Sequence, residues 1–185
     1  MRILSCLAVA GSALALLACA DRQSTFTAPV LETTMSVAAN GGRNAAVPLS
    51  GAEEVPARDT RARGTAVFHL SDDGTTLEYQ LIVANIRNVV QSHIHVGPAG
   101  ANGPVGVFLF GLVESGGGRS DGVIAQGTLT AADFIGPLAG ASMADLVAEM
   151  QAGNTYVNVH TNDGVDPPNT GPGDFPGGEV RGQIR

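Results

Sequence analysis

The feature that most limits what this chain can fold into is a period-two alternation cut into short pieces. Ala66, Phe68 and Leu70 interleave with Val67, His69 and Ser71; Asp72-Asp73-Gly74 forms a tight turn; Leu77, Tyr79, Leu81 and Val83 alternate beyond it. That combination of period and turn chemistry predicts a hairpin. Similar runs at Ser92–Val96, Val105–Leu112, Val123–Thr130, Thr155–Thr161 and Glu179–Ile184 extend the pattern. Many short strands at this spacing predict an all-β fold, an antiparallel Greek-key-like sandwich or barrel of about seven to nine strands. One short helix interrupts it. Met143, Leu146, Val147 and Met150 fall at i, i+3, i+4 and i+7, Ser142 and Asp145 supply the start, and Gly153 supplies a left-handed stop. The segment from Thr130 to Asp133 starts a further short turn.

Length and charge set the outer limits. A chain of 185 residues holds one domain with a tail. Charged residues at 15% against 44% hydrophobic exclude wholesale disorder. The net charge is −7 and the ten basic residues, every one an arginine, are scattered, so no basic stripe forms and nucleic acid is not an expected partner.

The amino terminus reads as an export signal. Arg2 precedes an apolar stretch, Ile3 to Leu17, too short to span a bilayer as a mature helix. It ends in Leu16-Leu17-Ala18-Cys19, which resembles a bacterial lipobox, where cleavage falls before a cysteine that then carries lipid. An ordinary secretory leader ending at Ala18 is the competing reading. On the lipoprotein reading, residues 1–18 are a signal peptide, residues 19–47 a lipid-anchored flexible tether, and residues 48–185 the folded domain. Cleavage removes Cys6 and lipid occupies Cys19, leaving no cysteine for disulfides or metal ligation. The expected location is the bacterial cell envelope, with Ala20 after the cysteine favouring the outer membrane, and the membrane is a partner through the lipid.

Leu49-Ser50-Gly51-Ala52-Glu53-Glu54-Val55-Pro56 followed by Gly64-Thr65-Ala66 is similar to the opening of the CHRD domain. Ser92-His93-Ile94-His95-Val96-Gly97, Gly127-Thr128-Leu129, Tyr156-Val157-Asn158-Val159-His160-Thr161 and Gly178-Glu179-Val180-Arg181-Gly182-Gln183-Ile184 continue the resemblance in order. It spans Val47–Arg185 and implies a β-sandwich binding module.

Histidines carry the candidate chemistry. His93 and His95 lie two apart, so on a strand both point to one face; His160 shares a face with Tyr156 and Asn158. If the two strands are neighbours, three imidazoles converge. Such a set suits copper above all, or zinc. The competing reading is that these histidines only stabilise the fold. His69 sits apart on the first hairpin as a candidate fourth ligand. Glu53, Glu54, Glu179 and Arg181 form a second set, expected to hold a carboxylate–arginine pair tying the first and last strands. Asn162, Asp163, Asp166 and Asp174 offer loop oxygens but do not match EF-hand spacing. Gly97–Pro104 has glycines without the lysine or helix of a phosphate loop and reads as a shaped turn.

Two functions follow. One is a non-enzymatic, lipid-anchored module that binds a metal ion or a protein ligand. The other is a copper redox enzyme of superoxide-dismutase type, an analogy resting on the His-x-His pair and a later histidine on a β-sandwich.

Overall fold

A computed structural model describes residues 43–185. The leader, Cys6, Cys19 and the tether up to residue 42 lie outside the described residues. The alternating runs form eight strands: β1 (Asn44–Ser50), β2 (Arg63–Leu70), β3 (Leu77–Arg87), β4 (Val89–Val96), β5 (Val105–Gly111), β6 (Arg119–Leu129), β7 (Thr155–Thr161) and β8 (Val180–Ile184). They make one antiparallel sheet in the order β5-β4-β7-β8-β1-β2-β3-β6. The sheet curls into a nearly closed barrel. Across the seam, the Tyr79 hydroxyl on β3 donates to the Leu109 carbonyl on β5 at 2.7 Å. Closure of this kind shields edge backbone groups that would otherwise stand open.

Alternation places one set of side chains inside. Val47, Leu49, Phe68, Leu81, Ile94, Val157 and Val180 are all buried in a single apolar cluster. Each such side chain contributes about 1.5–3 kcal/mol by leaving water. The helix α1 (Met143–Gln151) adds Met143, Leu146 and Met150 to that core. Its start is a capping box, in which the Ser142 hydroxyl accepts from the Asp145 N–H and the Asp145 carboxylate accepts from the Ser142 N–H. Gly153 follows at φ 71°, where a side chain would be strained. A second capping box, Thr130 with Asp133, starts a single 3-10 turn over Ala131–Asp133.

Element boundaries shift in three places. The tether expected to run through Val47 ends earlier, because β1 starts at Asn44 and pairs with β2 along its whole length, from Asn44 opposite His69 to Ser50 opposite Arg63. Val47 and Leu49 are its only large apolar side chains and Pro48 sits between them, so one period of alternation is all the sequence shows. Strand β4 begins at Val89 rather than Ser92, and β6 at Arg119 rather than Val123. No helix of the described residues is long and apolar enough to cross a membrane.

Candidate metal centre

Strand β7 differs from the other strands in being buried at every position. Val157 and Val159 point into the core, while Tyr156, Asn158 and His160 point outward yet remain covered. Strand β4 pairs with it so that His93 lies opposite Asn158 and His95 opposite Tyr156; on the far side Arg181 of β8 lies opposite Asn158. Two rows of polar side chains therefore cross three strands on the outer face of the barrel. The loops spanning residues 97–104 and 171–179 fold back over them.

The three histidines converge. His93, His95 and His160 are 2%, 8% and 6% exposed, and each offers a ring nitrogen within 4.8 Å of the other two. No other group of three or more His, Cys, Asp or Glu side chains among the described residues comes together in this way. The His95 Nδ1–H donates to the Gly103 carbonyl at 2.9 Å and the His160 Nδ1–H to the Pro176 carbonyl at 2.8 Å. These bonds fix the tautomers and leave both Nε2 lone pairs free to accept. The His93 Nδ1–H then donates to His160 Nε2 at 3.1 Å, and the Nε2 atoms of His93 and His95 keep no partner at all. Buried polar atoms are ordinarily satisfied, so two orphaned ring nitrogens in one cluster stand out.

Protonation is suppressed here. Burial first, then the neighbouring imidazoles, pushes His93 down to about 3. Burial, opposed by the Pro176 carbonyl, takes His160 down to about 4, and burial lowers His95 as well. At neutral pH all three present neutral rings, the form a metal requires.

A stacked support holds the cluster. The Arg181 guanidinium carbon lies 3.4 Å from the Tyr156 ring centroid, and the other side of that ring stacks on His95 at 4.7 Å with the planes 6° apart. Arg181 also donates to the Pro98 and Ala101 carbonyls, so it pins the loop whose Gly103 carbonyl orients His95. Gly103 has no room for a Cβ, which would strike the Val96 carbonyl. On the other side Glu179 accepts from Thr60, Thr161 and the Gly173 N–H, fastening the loop that carries Pro176. Phe108, 43% exposed, packs edge-on against His93 with centroids 4.4 Å apart and forms the solvent-facing border.

A match to the CHRD domain family covers residues 45–184. The chain belongs to the CHRD domain family. No curated protein and no solved structure matches this CHRD domain.

Two expectations need correction. His69 takes no part in the cluster: it is exposed on β2, its Nδ1 against Asn44 Oδ1, on the outer face of a different part of the sheet. The anticipated carboxylate–arginine pair does not form either. Among the described residues the ion pairs are Arg43–Asp72 and Arg119–Asp121, both at the surface. Arg181 is instead satisfied by backbone carbonyls, Asn102 and Gln183, while Glu53 is exposed and Glu179 is satisfied by hydroxyls and an N–H. What joins the first and last strands is backbone pairing at Ser50 and Arg181. Glu54 is buried with Oε1 unpartnered, and burial outweighs the attraction of Arg181 and Arg58 to push it up to about 7. The loop oxygens do not gather: Asn162 and Asp163 accept from the N–H groups of Gly164 and Val165, and Asp174 accepts from Thr170.

Sequence reasoning did not reach the Arg181–Tyr156–His95 stack or the Gly103 and Pro176 carbonyls. Backbone acceptors carry no residue-type signature. The clue available in sequence was the run of outward polar residues on β7, Tyr156, Asn158 and His160, beside a glycine-rich turn.

Proposed function

We propose that this CHRD domain is a binding module of the bacterial cell envelope, exported behind residues 1–18, anchored by lipid on Cys19, and holding a metal ion through His93, His95 and His160. The observation that carries the metal reading is the set of buried, neutral imidazoles whose ring nitrogens lie within 4.8 Å of one another, two of them oriented from behind by backbone carbonyls. Purely structural histidines gain nothing from leaving the Nε2 atoms of His93 and His95 buried without donors. Three nitrogen ligands suit copper or zinc, and the loop cover shields such an ion from exchange with water. The lipobox-like Leu16-Leu17-Ala18-Cys19 supports the anchor and the envelope location.

Metal titration of the full-length chain by calorimetry tests the reading. Copper or zinc should bind with one-to-one stoichiometry, and His95→Ala should weaken binding by at least about 100-fold, since it removes a ligand where loss of a mere supporting contact costs 10–100-fold. No binding by the wild-type chain, with His95→Ala changing only thermal stability, would leave the histidines as fold elements. Superoxide turnover by the copper-loaded chain would instead favour the superoxide-dismutase-like alternative. Lipid on Cys19 is tested separately, by mass spectrometry of the mature amino terminus.

A further inference from the structure

We propose that Asn158 supplies a fourth, oxygen ligand through Oδ1, making the centre an N3O site selective for a divalent ion over Cu(I). This deepens the metal reading above and rests on it. Asn158 is 3% exposed, lies directly across from His93 on the neighbouring strand, and stands two residues before His160 on the same face of β7. Its Oδ1 is buried without a hydrogen-bond partner, as are the Nε2 atoms of His93 and His95. His95 gives its Nδ1–H to the Gly103 carbonyl, so its Nε2 carries no proton and stands unpartnered on the same face. Buried acceptors without donors thus gather on one face of neighbouring strands, an arrangement that a cation resolves.

The other end of the amide sits in close quarters. A Cβ on Gly178 would fall 2.9 Å from Asn158 Nδ2 and would strike Glu54 Oε1, so only glycine leaves the amide its seat. The carboxylate of Glu54 stands beside the same glycine, a buried acidic group close to the charge a divalent ion would bring. A carbonyl oxygen is a hard donor. It adds affinity for Zn(II), Co(II) or Cu(II) and little for the soft Cu(I) ion, so the set opposes cycling between copper oxidation states.

The test uses Co(II), whose visible bands report ligand number, and Cu(I) as the soft counterpart, each titrated into the full-length chain. Asn158→Ala should lose at least about tenfold in Co(II) affinity with altered bands and keep its Cu(I) affinity, whereas Asn158→Asp, which retains an oxygen, should hold Co(II). Azide added to the Co(II)-loaded wild type should leave the bands unchanged, because no water-occupied position is open. Wild-type bands that shift with azide, or an Asn158→Ala chain that binds Co(II) as the wild type does, would overturn the oxygen ligand and leave the three-histidine site standing. Failure of the wild type to bind Co(II), Zn(II) or copper overturns both. The azide experiment needs no variant, so it decides the matter even where Asn158→Ala does not fold.

Discussion

Two parts of one sheet use the same alternation to opposite ends. On β2, β3 and β6 the outward residues meet water: His69, Glu78 and Gln126 are exposed, and Gln80 bonds Gln126 across the surface at 3.3 Å. On β4, β7 and β8 the outward residues are equally polar but buried, with Arg181 at 1% and Asn158 at 3% exposure. The strands themselves do not differ in period. The difference lies in two loops, residues 97–104 and 171–179, that turn their carbonyls down onto the face. Covering a polar face is costly unless each group finds a partner. This face satisfies nearly all its donors and leaves a cluster of acceptors bare, which is why it reads as a binding site and the other as a solvated surface.

The sharpest way to break the contrast is at Arg181. Replacing it with alanine strips charge-assisted hydrogen bonds from the Pro98 and Ala101 carbonyls and removes the cation from Tyr156, all in a buried setting. We expect a loss on the order of 3 kcal/mol or more in urea unfolding, because buried partners are left unsatisfied. A loss below about 1 kcal/mol would mean that the loops order the face without it.

Acid acts next. In the metal-free chain His93 and His160 titrate at about 3 and about 4 when folded but at the ordinary 6.5 when unfolded. The unfolded state therefore binds more protons below 6.5, so their contribution is complete above that pH and is lost progressively down toward 3–4. Glu54 runs the other way: it keeps its proton up to about 7 in the fold and to 4.5 unfolded, so its contribution falls as pH rises between those values. Urea unfolding measured from pH 4 to 8 should show an acid limb that His93→Phe flattens and that Glu54→Gln steepens between 4.5 and about 7, where the glutamate opposes it. An acid limb that survives His93→Phe unchanged would place its origin elsewhere.

The smallest effect should come from the exposed histidine. His69→Ala should change stability by less than about 0.5 kcal/mol, as surface substitutions do, and leave metal titration unaltered. A loss of metal affinity in that variant would join the two parts of the sheet that the geometry keeps separate.

The sequence revealed what depends on periodicity and hid what depends on backbone. The hairpin around Asp72-Asp73-Gly74, the Ser142–Asp145 capping box and the shared face of His93 and His95 follow from residue type and spacing, and all are present. The adjacency of β4 and β7, on which convergence depends, is a matter of topology, and no local signal encodes it. The expected arginine–carboxylate pair failed for a related reason. Charge complementarity nominated Glu179 for Arg181, but the loop carbonyls reach the guanidinium instead, and Thr60 and Thr161 occupy the glutamate. Asn44–Val47 looked like tether because a strand with two anchoring side chains and a proline scarcely differs from coil in pattern.

The pairing of β4 with β7 also orders events in time. His93 and His160 meet across a sequence separation of 67 residues. Contacts of that range form late, after the entropy of closing a long loop has been overcome. Before that pairing the chain has only the His93-Ile94-His95 segment to offer, and its third imidazole arrives when β7 seats against β4. The cluster is thus a register of that one pairing: any ligand that needs all three rings requires β7 seated on β4.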